Sequence, residues 1–117
     1  RDSSEAEKYI GYPYVWGGSS PATSFDCSGY VSWVINHSGW NVGRLGAQGL
    51  YNICTPTSSP QPGDLVFFVG TYDTPGVSHC GIYVGDNKML HCGDPIGYAN
   101  LNTSYWQSHF YAYGRLP

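Results

Sequence analysis

Residues 24–39 read SFDCSGYVSWVINHSG, and this stretch decides the fold. Asp26 is a favourable helix N-cap, because its short carboxylate accepts from the unpaired amide hydrogens of the first turn. Cys27 then takes the first helical position. At 100° per residue, Val31, Val34 and Ile35 share its side, with Tyr30 at the flank, whereas Ser28, Ser32 and Asn36 fall opposite. Gly39 ends the helix. Cys27 therefore lies on the apolar stripe, at the helix end where amide hydrogens and the dipole favour negative charge. A thiol so placed drops from about 8.5 toward 7 or below, the range of a nucleophile. The same position also suits a small apolar core residue, as most buried cysteines are. On this stretch alone both readings stand. A thiolate needs a base, so the rest of the chain must decide.

Upstream, SSEAEKYIG reads as a short helix capped by Ser3 or Ser4 and stopped by Gly11. YPYVWGGSSPATS is a Pro-, Gly- and Ser-rich loop carrying aromatics. Downstream, LGAQGLYNIC reads as a weaker helix and TPTSSPQPG as a turn. DLVFFVG is a buried strand, SHCGIYVGDNKMLHCG a hairpin about Gly85-Asp86-Asn87, and SHFYAYGRL a final strand. Helices first and an antiparallel sheet second make an α+β domain.

The 117 residues form one domain, 1–117, large enough for a core without disulfides. Eleven tyrosines and few charges suit a globule with an aromatic, substrate-facing surface. A net charge of −3 with five Lys and Arg leaves no basic patch for nucleic acid. No apolar run approaches the roughly 18 residues of a membrane span. The opening RDSSEAEK reads as the edge of a domain excised from a longer, secreted protein.

The candidate bases are His79 and His91, on consecutive strands of the hairpin. A two-residue turn would point them to opposite faces. A three-residue turn of Gly85, Asp86 and Asn87 pairs Val84 with Lys88 and sets His91 opposite Gly81, so both histidines share a face. Gly81 then leaves room over the strand. Two ordinary half-buried histidines would fit the same pattern. His37 complements the helix dipole, and His109 reads as a surface residue.

In this order, YVWGG, FDCSGYV, GDLVFF and SHCGIYVGDNKMLH resemble the motifs of the NlpC-type cell-wall peptidases, a bacterial branch of the papain-like thiol peptidases. The resemblance runs from about Tyr12 to about Arg115. It implies a papain-like core with the nucleophile helix on a small antiparallel sheet, Cys27 as nucleophile, His79 as general base and His91 as orienting residue. It also implies Tyr14 at the oxyanion hole, and Asp26, Ser28 and Trp16 in substrate binding. The implied reaction is hydrolysis of the amide between γ-D-glutamate and an L-diamino acid in peptidoglycan stem peptides. No cofactor is implied, and an extracellular or cell-wall location and a monomer are expected. A γ-linked D-glutamate carries an α-carboxylate, for which Arg44, Ser28, Tyr51 and the Gly17-Gly18 backbone are candidates.

Two cysteines depart from the family, where residues 80 and 92 are usually small or apolar. A metal site of His79, Cys80, His91 and Cys92 would need neighbouring strand residues to converge from opposite faces. Two further readings are a thiol acyltransferase or other amidase on the same fold, and a non-catalytic wall-binding module. The register that unites the histidines also places Cys80 opposite Cys92, where a disulfide is feasible. Two reduced cysteines in small apolar positions fit that register equally.

Overall fold

The computed structural model describes residues 4–117, so the Ser3 cap lies outside the described residues. Helix α1 (Ser4–Glu7) leads into a loop holding a two-residue ribbon, β1 (Ser19–Ser20) with β2 (Ser24–Phe25). Helices α2 (Cys27–Asn36) and α3 (Ala47–Ile53) follow. The remainder is β3 (Thr55–Thr57), β4 (Leu65–Val69), β5 (Val77–Gly85), β6 (Lys88–Cys92), β7 (Ile96–Asn100), α4 (Ser104–His109) and β8 (Phe110–Arg115). Six strands form one antiparallel sheet in the order β3-β8-β4-β5-β6-β7. The α+β reading holds.

Strand alternation splits the sheet's side chains between two cores. Leu65, Phe67, Cys80, Ile82 and Leu90 pack with Val31, Val34 and Ile35 of α2. Val66, Phe68 and Met89 face the other way, where Leu101 and Trp106 cover them. Helix α2 forms as its sequence dictates: the Asp26 carboxylate accepts from the Gly29 amide at 2.8 Å. Its serine side is buried too, because the 41–46 loop lies over it and Ser32 Oγ donates to Leu45 O at 3.1 Å. Of the eleven tyrosines only Tyr9 and Tyr30 are buried, and Trp16, Tyr72, Tyr98, Tyr105 and Tyr111 are exposed. Phe25 is fully buried among the rings of Tyr9, Tyr12, Tyr30 and Trp33.

The hairpin register agrees with the expectation, by another route. The β5–β6 turn has two residues, Asp86 and Asn87, both left-handed (φ 53° and 58°), and Gly85 pairs with Lys88. An irregularity between Tyr83 and Gly85 then inserts the extra residue, so Tyr83 pairs with Met89 and Ile82 with Leu90. Extended by one more residue, this register sets Gly81 against His91, and a Cβ on Gly81 would lie 3.1 Å from His91 Cβ.

Three other expectations change. TPTSSPQPG contains β3, paired with β8. Strand β7 and helix α4, neither foreseen, follow the hairpin, and His109 closes α4 with Nδ1 2.8 Å from Val69 O. The Cys80–Cys92 bridge is not formed. Both thiols are buried and free, and they aim at different groups: Cys92 Sγ lies 3.2 Å from Phe25 O, and Cys80 Sγ lies 3.9 Å from Cys27 O.

Candidate active site

Cys27 heads α2 with its Sγ 3.8 Å from Ser78 O, at the entry to β5. Strand β5 carries a bulge there. Phe68 pairs with His79 but Val69 pairs with Val77, which leaves Ser78 as the extra residue. Bulges re-aim neighbouring side chains, and this one stands directly before the candidate base. It is pinned by its own hydroxyl, which accepts from the Thr71 amide at 3.0 Å and lies 2.6 Å from Thr71 Oγ1.

His79 is within hydrogen-bond reach of the Cys27 thiol. Its Nε2 lies 2.9 Å from His91 Nδ1, which leaves its Nδ1 for the cysteine. Burial, with the charge of His79 behind it, pushes His91 down to about 3, so His91 stays neutral. An imidazolium at His79 would carry protons on both nitrogens, so Nε2 would donate and His91 Nδ1 would accept. Gly93 makes room for this ring, since a Cβ there would sit 3.1 Å from His91 Cε1.

The Cys27 thiol is lowered to about 5. A hydrogen bond from Cys80 lowers it most, burial opposes, and the hydrogen bond and charge of His79 lower it further. Cys80 is the donor of that pair, its own thiol pushed up by Cys27 and by complete burial. Tyr14 is raised to about 12, by burial and then by the charges of Cys27 and Asp26, so it keeps its phenolic proton.

The remaining expected residues divide. Asp26 accepts from Gly29 N, Ser28 Oγ and Arg44 Nη2 on one oxygen and from Gly17 N on the other. Its carboxylate thus positions the helix head and Arg44. Ser28 Oγ accepts from Arg44 Nη1 at 2.9 Å. Trp16 is 70% exposed and meets Tyr72 edge to face, with centroids 5.4 Å apart. Cys27, Ser28, Arg44, Trp16 and Tyr72 line a cleft of about 300 Å³. Two carboxylate candidates fall away: Tyr51 packs on Phe67 and Tyr111, and the Gly17 amide is taken by Asp26. Trp106 went unforeseen, since one large apolar residue in a six-residue helix carries no periodicity. It stacks on His79 (5.4 Å, 22°) and meets His91 edge-on (5.3 Å, 85°). Among the described residues, no cluster of His, Cys, Asp and Glu could hold a metal ion.

A model of the NlpC/P60 family matches residues 11–115. The chain belongs to the NlpC/P60 family. Across 115 residues this NlpC/P60 domain is 44% identical to the bifunctional muramidase/DL-endopeptidase CwlT of Bacillus subtilis, covering 96% of this chain but 35% of that protein. It is 39% identical over 120 residues to the gamma-DL-glutamyl hydrolase of the same organism, covering 89% of this chain and 26% of the relative. Among solved structures, an NLP/P60-family protein from Staphylococcus aureus, described as similar to lipoprotein, superposes with a TM-score of 0.92 at 46% identity, covering 97% of this chain and 39% of that one. The chain thus spans about a third of the first relative's length.

Proposed function

We propose that residues 1–117 are a cysteine endopeptidase domain that hydrolyses peptidoglycan stem peptides between γ-D-glutamate and the L-diamino acid, outside the cell or in its wall. What supports this reading is the 2.9 Å contact of His79 with neutral His91, the lowering of the Cys27 thiol by His79, and a cleft lined by both Cys27 and Arg44. The names of two relatives, a DL-endopeptidase and a γ-DL-glutamyl hydrolase, support the bond assignment.

The Cys27 thiolate attacks the γ-carbonyl carbon and forms a C–S bond. The oxyanion is met by the Cys27 amide hydrogen, unpaired in the helix, and by the Tyr14 hydroxyl. His79 then gives its Nδ1 proton to the leaving nitrogen, the C–N bond breaks, and the acyl-enzyme remains. Water attacks next, losing a proton to His79 as the C–S bond breaks. His91 accepts from His79 throughout and holds its ring in one orientation. The α-carboxylate of the glutamate faces Arg44, whose side chain is 38% exposed while the Asp26 beneath it is 12% exposed.

The test is mass spectrometry of products from defined muropeptides. A new γ-carboxyl on glutamate and a new diamino-acid N-terminus are expected, with no cut in ordinary L-peptides. A severed glycan strand, or release of the stem at the lactyl amide, refutes the assignment. A wall-binding module without turnover would yield no products at all.

A further inference from the structure

A second cleft, of about 480 Å³, is lined by the histidines. His79, His91, Asp94, Tyr105 and Trp106 line it, and Tyr14, Trp16 and Tyr72 form the wall it shares with the Arg44 cleft. Resting on the reaction proposed above, the geometry orients the substrate. A general acid must stand beside the nitrogen it protonates. The acyl half therefore occupies the side holding Ser28 and Arg44, and the departing amine occupies the side holding His79 and His91.

The two sides carry opposite chemistry. No Lys or Arg lines the histidine side among the described residues, and Asp94 is its one carboxylate. Asp94 is exposed, yet Oδ1 is fixed, accepting from the Tyr14 amide at 3.1 Å. Oδ2 has no hydrogen-bond partner among the described residues. Tyr105 and Trp106 sit edge to face, with centroids 4.9 Å apart, and offer aromatic surface to a hydrocarbon chain on its way to that oxygen.

We propose that this cleft is the subsite for the side chain of the departing diamino acid, with Asp94 taking its terminal ammonium. An ammonium-tipped chain, as in lysine, brings a cation to the carboxylate. A tip bearing an additional free carboxylate, as in diaminopimelate, brings an anion to a cleft with no cation to receive it. Lysine-type stems, or stems whose terminal carboxyl is amidated, are therefore preferred.

The experiment measures kcat/KM on L-Ala-γ-D-Glu-L-Lys, its norleucine counterpart and its free-acid diaminopimelate counterpart, for wild type and Asp94→Asn. Asn keeps an oxygen for the Tyr14 amide and removes the charge. Wild type should favour lysine over norleucine about three- to five-fold, the scale of a solvent-exposed ion pair. That preference should shrink with added salt, and in Asp94→Asn the ratio should fall to about one. An equal ratio in both enzymes, a wild-type preference for norleucine, or a preference for free-acid diaminopimelate over lysine overturns the subsite. The wild-type comparison and its salt dependence decide the matter even where the variant misfolds. Failure of wild type to cut any of the three defeats the proposed bond and the subsite with it. Cleavage without discrimination defeats the subsite alone.

Discussion

Replacing Cys80 by valine should make the Cys27 thiol a weaker acid while leaving it in place. Cys80 is fully buried beside the helix head, and its hydrogen bond is the largest influence lowering the Cys27 thiol to about 5. A hydrogen bond to a charged group is worth about 1.5–3 kcal/mol, and one pH unit of displacement corresponds to about 1.36 kcal/mol. The S–H group is a weak donor, so the lower end applies, and the midpoint should rise from about 5 to about 6. His79 continues to oppose burial, which keeps the thiol below its ordinary value. The assay is the pH dependence of iodoacetamide capture at Cys27, read by peptide mass spectrometry. An ordinary thiol near 8.5 is about 1% ionised at pH 6.5 and gains about fifty-fold in rate by pH 8.5, whereas a thiol near 5 gains almost nothing. The other three cysteines should stay silent at neutral pH, since burial pushes Cys54 up to about 11 and Cys92 up to about 12, and Cys80 also moves upward. The acid limb of kcat/KM should move with the capture midpoint, because the thiolate is lost as pH falls through its pKa. Cys80→Ala serves as a second variant with no added bulk. A midpoint unmoved in both refutes the reasoning.

Cys27→Ala should fold and show no turnover, and His79→Ala should lose about 10²–10⁴-fold in kcat, each checked by product release alongside circular dichroism. His91→Asn should lose about ten- to a hundred-fold, since what goes is one hydrogen bond to an ionic partner. Gly29→Ala should destabilise by about 1–3 kcal/mol, because the new Cβ would fall 2.0 Å from the Gly18 carbonyl oxygen, a backbone atom; chemical denaturation measures it. Thiol titration of denatured, unreduced protein should count four thiols, as the four free cysteines require, and a count of two would restore the Cys80–Cys92 bridge.

Helix α2, with Cys27 at its head, was legible because its signals are local. An N-cap acid, an apolar stripe and a terminal glycine act within a few residues of one another, and tertiary packing had nothing to override. The covering of its serine side was not legible, because that depends on where the 41–46 loop returns. Arg44 could be named as a candidate but not chosen: its partner Asp26 lies 18 residues away, and only the fold closes their 2.9 Å contact. Tyr51 looked equivalent in sequence and packs against Phe67 and Tyr111 instead. Trp106 gave no warning, since α4 is too short for a period and its apolar face is a single side chain.

The histidine pair shows how a correct face can come from an incorrect turn. An extra residue placed in the turn, or one step into the strand, has the same effect on everything beyond it, because side chains alternate with period two. Left-handed φ values at Asp86 and Asn87 make a two-residue turn, which alone would send His79 and His91 to opposite faces. The irregularity between Tyr83 and Gly85 restores the shared face. Strand β5 is thus irregular at both ends, and each end sets one relation of His79. The Ser78 bulge sets its aim against β4 and Cys27, and the insertion near Gly85 sets its register against β6 and His91. With its two-residue turn, a regular β5 would send His79 and His91 to opposite faces, so the insertion near Gly85 is what lets this turn coexist with their 2.9 Å contact.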